Sequence, residues 1–175
     1  MSALLLAAAC AAACAAAVPC AAQAVSLTLP IDATVVNGTM TIATLQNLDF
    51  GQVTGGVPAS LAPNAAGAGA WQVTGSPNAF VSVSFSLPSL LTNIQAQPGS
   101  TMPISFPATS ARYRRQVNNP NGGATTFDPN AGTVARFGPN PNPTLFIWIG
   151  GQVNPAVATK PGIYTGTVVV SLAYP

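Results

Sequence analysis

The chain has 175 residues, of which 49% are hydrophobic, with 5 Lys and Arg, 3 Asp and Glu, no His and a formal net charge of +2. Its length suits one domain with a sizeable core. A net charge of +2 from so few ions argues against a nucleic-acid partner, because binding to phosphates needs clustered cations.

Residues 1–24 have the features of an export signal. The segment is uncharged and apolar, and it ends in Ala22-Gln23-Ala24, the pattern of small residues that signal peptidase accepts before a cleavage point. We therefore expect a mature chain that begins at Val25, enters the periplasm and reaches the cell surface or the medium. Two alternatives remain open: the run is long enough for a membrane-spanning helix, and Cys20 is a candidate for lipid attachment.

The mature chain lacks the side chains that most active sites use. All 3 cysteines lie within residues 1–24, so neither disulfides nor thiolate metal sites are expected. With His absent, zinc loses both of its preferred ligands. The only carboxylate side chains are those of Asp32, Asp49 and Asp128, too few for ordinary acid–base or nucleophilic catalysis. We predict a protein that is not an enzyme and needs no metal or cofactor.

From Val25 onward the hydrophobic pattern has a period of two, which predicts an all-β chain. Val25, Leu27, Leu29 and Ile31 alternate with polar or small residues, and a turn is expected at Asn37-Gly38. Further strands are predicted from Met40 towards Gly51, from Trp71 to Val73, over 80–87 with Val81, Val83, Phe85 and Leu87 on the buried face, over 102–106, over 145–149 with both faces apolar, and over 164–174. Short strands separated by Gly and Pro favour an antiparallel β-sandwich.

A polar stretch at 109–143 concentrates most of the positive charge of the chain. It contains Arg112-Tyr113-Arg114-Arg115 and Arg136, and it is rich in Asn, Pro and Gly. One interpretation is a patch that binds a small anionic ligand or a cell-surface glycan. The other is a solvated loop whose arginines pair with Asp128 or keep the fold soluble. The composition predicts a polar loop inserted into the sandwich.

Three motifs, in order along the chain, carry a family resemblance. They are Leu48-Asp49-Phe50-Gly51 with the following Gly55-Gly56, the run from Val73 to Val83, and Pro161-Gly162-Ile163-Tyr164-Thr165-Gly166-Thr167. Together they resemble the bacterial domain-of-unknown-function family 4402. The resemblance implies an exported, immunoglobulin-like sandwich related to chaperone–usher pilins and to the spore coat protein U group. The predicted sandwich covers 37–175, and an N-terminal extension covers 25–36.

The C-terminus is similar to that of pilus subunits handled by a periplasmic chaperone, because Gly162 stands fourteenth from the end and Tyr174 is penultimate. A row of alternate residues between them is suited to pairing with a chaperone strand; it consists of Tyr164, Val168, Val170, Leu172 and Tyr174. The alternating residues Val25, Leu27, Leu29 and Ile31 are the expected donor strand.

These features together predict the structural subunit of a bacterial cell-surface fibre, a pilin-like fimbrial protein assembled by donor-strand exchange. Its expected partners are copies of itself or related subunits, a periplasmic chaperone and an outer-membrane usher. Two alternatives stay open. In the first, the protein is monomeric or coat-forming, and its N-terminal strand fills the groove of its own domain. In the second, the domain is a surface ligand-binding module that uses Trp71, Trp148, Tyr113 and the arginines.

Overall fold

The computed structural model describes residues 38–95 and 100–175, and within these ranges the chain forms strands, turns and loops without a helix. The predicted all-β fold is therefore confirmed. Within the same ranges, no helix is long and apolar enough to cross a membrane. The export signal predicted for 1–24 and the donor strand predicted for Val25, Leu27, Leu29 and Ile31 lie outside the described residues.

The strands of the described part pair only in antiparallel ladders. In chain order they are β1 (Thr41–Gln46), β2 (Ala59–Leu61), β3 (Gly69–Thr74), β4 (Phe80–Ser86), β5 (Leu90–Asn93), β6 (Thr101–Ser105), β7 (Ala111–Arg115), β8 (Thr125–Phe127), β9 (Thr133–Arg136), β10 (Thr144–Ile149), β11 (Gly151–Val153), β12 (Tyr164–Thr165) and β13 (Val169–Ala173). They form sheets with the orders β1-β3-β10-β7-β8, β12-β5-β6-β11-β2 and β13-β4-β9.

The sheets pack face to face as a sandwich. The main core lies between the β1-β3-β10-β7-β8 sheet and the β13-β4-β9 sheet, and it consists of Val73, Val81, Val83, Ala111, Phe127, Ala135, Phe137, Leu145 and Ile147. A second core joins the first sheet to the β12-β5-β6-β11-β2 sheet, and it consists of Met102, Ile104, Phe106, Ile149 and Val153. Burial of these apolar side chains is the main force holding the layers together.

Strands β4 and β10 show why the sequence pattern was informative. In β4 the alternation is as predicted: Val81 and Val83 are buried, whereas Ser84 and Ser86 are exposed. Every residue of β10 is buried. Leu145 faces the main core. The residues of opposite parity are covered on the other face of the sheet, where Phe146 and Trp148 cluster with Ala70. A strand covered on both faces lacks polar alternation.

The prediction of a polar loop over 109–143 is wrong. The stretch contributes β7, β8 and β9; β7 pairs with β10, and β9 pairs with β4. Its inward side chains are few and often small, such as Ala111 and Ala135. The hydrophobic alternation of period two is therefore hard to recognise among the polar residues of this stretch. Phe127 and Phe137 from the same stretch complete the main core. The stretch is therefore part of the sandwich itself.

The arginines of this stretch do not use Asp128 as a partner. Arg112 Nη1 donates to Pro120 O at 2.9 Å. Arg136 Nε donates to Asn78 O at 2.8 Å, and its guanidinium lies 5.5 Å from the centre of the Phe80 ring. The carboxylate of Asp128 instead accepts hydrogen bonds from the backbone and side-chain nitrogens of Asn130, which fixes the turn before β9.

Candidate strand-binding site

Six strands are terminal in the sheets of the described part, namely β1, β2, β8, β9, β12 and β13, so each has an edge that no other described strand pairs with. β13 pairs only with β4, and β1 pairs only with β3, within the described part of the chain. The short strand β12 is likewise terminal in its sheet, next to β5. An unpaired edge presents backbone N–H and C=O groups that can form a ladder with another strand.

β1 and β13 run in opposite directions, and their ends lie close together. At one end, Gly38 N donates to Ser76 Oγ at 2.7 Å, and Ser76 N donates to the Tyr174 hydroxyl at 2.8 Å. The residue before β1 and the residue after β13 therefore meet at Ser76. At the other end, Leu48 after β1 and Val168 before β13 both line one groove, whose lining includes Thr44 and Gln46 of β1 and ends at Val168.

The groove has a volume of about 1140 Å³, above the range of roughly 300–1,000 Å³ for small-molecule sites. Its apolar lining includes Trp71, Leu91, Met102 and Ile104, which come from β3, β5 and β6. An opening of this size beside an unpaired strand edge is suited to an extended peptide, because a peptide strand can satisfy the backbone groups as well as fill the space.

The inward face of β1 lacks cover. Ile42 lies opposite Val73 in the ladder, so both side chains face the same side of the sheet. Val73 is fully buried in the main core, but Ile42 remains 47% exposed. An inward position of a closed sandwich is normally buried. The opposite layer therefore ends before it reaches β1.

The inward face of β13 shows the same incomplete burial from the other layer. Its half-buried side chains alternate with exposed ones; the half-buried residues are Val168, Val170, Leu172 and Tyr174. They pack on the edges of the cores, and Tyr164 of β12 packs on the second core. The single strand predicted over 164–174 is therefore two strands in different sheets, and the row derived from sequence parity is divided: Val170, Leu172 and Tyr174 pack on the main core, whereas Tyr164 and Val168 pack on the second core.

Gly162 does not belong to this row. It precedes β12 with φ at +144°, and a Cβ there would collide with the side chain of Asn93. Asn93 is buried, and its Nδ2 donates to Pro161 O at 3.2 Å. A glycine is needed because the backbone passes directly over this amide in a conformation that other residues rarely adopt. Its role is to shape the entry into β12.

Tyr174 is fixed at the end of β13 by both its ring and its hydroxyl. The ring centre lies 6.2 Å from that of Phe137 at an interplanar angle of 57°, a favourable tilted arrangement. The hydroxyl accepts the hydrogen bond from Ser76 N. A Cβ at Gly75 would collide with Phe137 and approach the Tyr174 hydroxyl, so the small residue before Ser76 leaves room for both rings.

Removing the Tyr174 hydroxyl should weaken the end of β13. We expect Tyr174→Phe to lower the free energy of unfolding by about 1 kcal/mol, because Ser76 N loses its acceptor in a partly buried position. Tyr164→Phe is the matched control, since its exposed hydroxyl donates to Lys160 O, and it should change little. Urea unfolding of both variants measures the difference. Equal stabilities would show that the Tyr174 hydroxyl does not hold the strand end.

The aromatic residues considered as ligand contacts do not form one surface. Trp71 and Tyr113 both pair in register with Ile147, so they share the inward face. Tyr113 packs against Phe127 with ring centres 5.8 Å apart. Trp148 lies on the outward face but is only 4% exposed. Of these residues, Trp71 alone lines the groove.

Most of the groove was not predicted from the sequence. Met102 and Ile104 were predicted in a core strand, which is correct, but these residues also form the lining of the opening. Leu91 was not singled out. No local signal marks such residues, because their exposure depends on where the opposite sheet ends. The parity of 164–174 was the one pattern that located a wall of the groove.

The comparisons with known proteins identify a family. The family model described as "Domain of unknown function (DUF4402)" matches residues 31–174. No curated protein and no solved structure matches the chain. The match spans every strand from β1 to β13 and both sides of the groove, and it begins at Ile31, the last residue of the expected donor row. The chain therefore belongs to the DUF4402 family.

Proposed function

We propose that this chain is the structural subunit of a bacterial cell-surface fibre with an immunoglobulin-like, pilin-like domain. The N-terminal extension 25–36 of one subunit fills the groove between β1 and β13 of the next subunit. The observation that carries this proposal is the pair of unpaired edges on β1 and β13, whose inward apolar side chains are left partly exposed, with the groove at one end of these strands.

The extension has the pattern that this groove requires. Val25, Leu27, Leu29 and Ile31 alternate with a period of two, as do the half-buried residues of β13. A strand inserted beside β13 presents alternate side chains to the cores. Full burial of an aliphatic side chain of this size is worth about 1.5–3 kcal/mol, and ladder hydrogen bonds with the free edges add to it.

Donation from one subunit to the next gives a fibre because the contact joins different surfaces of the two molecules. Such a head-to-tail contact continues without closing unless its rotation generates a ring. Before assembly the apolar groove and the free edge of β13 need a temporary cover, since exposed edges associate non-specifically. A periplasmic chaperone that inserts its own strand supplies that cover, and an outer-membrane usher exchanges it for the next subunit. This route requires the export signal predicted for 1–24.

Gel electrophoresis of surface extracts without boiling tests the proposal. Polymers held by strand exchange should run as a ladder of regularly spaced bands, because each junction is a folded interface that resists detergent until it is heated. Boiling should collapse the ladder to the subunit. A single subunit band in the unboiled sample, with the protein abundant at the surface, would overturn the fibre proposal.

A second candidate is a self-complemented structural protein, and one observation favours it. Gly38 N is bonded to Ser76 Oγ beside Tyr174, so the residue that follows the extension lies next to the end of β13. A turn at Asn37-Gly38 would direct it back antiparallel to β1, and therefore parallel to β13. This protein would remain monomeric at every concentration, which size-exclusion chromatography detects.

A further inference from the structure

A second cleft, which shares no lining residue with the groove, lies where the segment after β2 approaches β7 and β8. Its volume is about 540 Å³, within the range of roughly 300–1,000 Å³ typical of small-molecule sites. Its polar lining consists of Ser60, Asn64, Thr109, Ser110, Arg112 and Thr126.

The walls of this cleft are held in place by the backbone. A Cβ at Gly150 would collide with the carbonyl oxygen of Leu61, so glycine allows the segment after β2 to lie directly against the end of β10. Gly150 N donates to Ser110 O at 2.7 Å. Asn64 Nδ2 donates to Asn121 Oδ1 at 2.8 Å, which ties the wall to the loop after β7. The cleft is therefore formed before any ligand arrives.

Arg112 supplies the only charge in the lining of the cleft. Its Nη1 donates to Pro120 O, but its Nε is buried and has no hydrogen-bond partner. Most buried polar groups in folded proteins are paired, so an unpaired guanidinium nitrogen needs an explanation. A planar guanidinium can donate two parallel hydrogen bonds to the two oxygens of a carboxylate. A small rotation of the side chain towards the cleft would offer its unused nitrogens to such a ligand.

The rest of the lining favours a ligand rich in hydroxyl groups. Ser60, Thr109 and Thr126 are exposed, and their hydroxyls make no hydrogen bond to other residues in the described ranges. Each hydroxyl both donates and accepts, as sugar hydroxyls do. We propose that this cleft binds an acidic sugar, with its carboxylate on Arg112 and its ring hydroxyls on these side chains. The site is independent of strand exchange in the groove.

Saturation-transfer NMR on the purified chain tests this site with glucuronate as the probe, and glucose and acetate as comparisons. Glucuronate should show saturable transfer, glucose should show none that saturates, and acetate should bind more weakly than glucuronate. Arg112→Gln should weaken glucuronate binding by about ten-fold or more, the size of a lost charge-assisted pair. Arg115→Gln, an exposed position on the same strand that does not line the cleft, should bind as the unmodified chain does.

Thr126→Val provides a second variant in case Arg112→Gln lowers the melting temperature. It removes one exposed hydroxyl and should weaken glucuronate binding by about three-fold, a modest loss typical of a neutral hydrogen bond. Absence of saturable glucuronate binding, or binding unchanged in both variants, would overturn the proposal. Glucose binding as tightly as glucuronate would refute carboxylate recognition, and acetate binding as tightly would refute recognition of the sugar.

Discussion

Deletion of residues 25–31 is expected to abolish fibre growth while the domain from β1 to β13 stays folded. The deletion removes Val25, Leu27, Leu29 and Ile31 together, so no apolar row remains to enter the groove of the next subunit. The cores of the described ranges are formed by side chains of β3 to β11 and their connecting loops. Unboiled gels and size-exclusion chromatography should show subunits without a ladder, and thermal unfolding should still be cooperative.

Two point variants test whether assembly depends on the apolar row of the extension or only on the presence of the extension. Leu29→Asp should prevent assembly almost as completely as the deletion, because it places an unpaired charge in an apolar groove. Thr28→Asp puts the same charge on the neighbouring residue, whose side chain points to the opposite face of a strand, and it should still assemble. If both variants assemble equally, the alternation of the extension has no part in the contact.

The deletion also distinguishes exchange between subunits from self-complementation. If the extension fills its own groove, removing it should destabilise the monomer, and the unmodified chain should form no ladder. A monomeric unmodified protein with a strongly destabilised deletion variant would therefore replace the fibre proposal with the self-complemented one.

Phe137→Ala is expected to lower the free energy of unfolding by about 3–5 kcal/mol, the usual loss for a buried aromatic side chain. Phe137 is fully buried in the main core and contacts Tyr174 at the end of β13. The loss is a large part of the stability of a typical domain, so much of the variant should be unfolded or degraded in the cell. Urea unfolding of the purified variant measures the effect.

Val134→Ala is the matched control for Phe137→Ala, because it lies on β9 but is 56% exposed. It should change the unfolding free energy by less than about 0.5 kcal/mol, as most exposed substitutions do. If Phe137→Ala were as mild as Val134→Ala, the stretch 109–143 would not be part of the core that the structure shows.

The fold was predictable where hydrophobic residues are frequent and regular. β4 shows a period of two over its whole length, and β10 is apolar on both faces, so both strands were identified with the correct buried residues. β7 and β9 were missed because arginines and small residues occupy much of each strand. Their membership in the sheets depends on pairing with β10 and β4, which no local pattern records.

The candidate site was predictable only on the side formed by a single strand. The row from Val168 to Tyr174 lies on one continuous segment, so its parity alone placed it on one face. The opposite side combines Trp71, Leu91 and Met102 from separate strands. The groove exists because both layers stop short at the same edge, and that is a property of the tertiary structure.

Cross-linking through introduced cysteines tests the exchange of strands most directly. Every natural cysteine precedes Val25, so a chain processed as predicted has no thiol background. Leu29→Cys is combined in one chain with Val168→Cys, Val170→Cys or Leu172→Cys. A disulfide needs a distance of ~4.4–6.8 Å between the two Cα atoms. Three positions are used because the register of the inserted strand decides which pair meets this distance. Val134→Cys, on the exposed face of β9, replaces these positions in the control.

After oxidation, at least one of the three pairs should give a covalent ladder on boiled, non-reducing gels. The ladder should disappear on reduction, and the Val134→Cys control should not form it. These results are predicted because strand donation places Leu29 of one subunit against β13 of another. A disulfide-closed monomer from the same pairs, with no covalent dimer at any protein concentration, would contradict strand exchange between subunits.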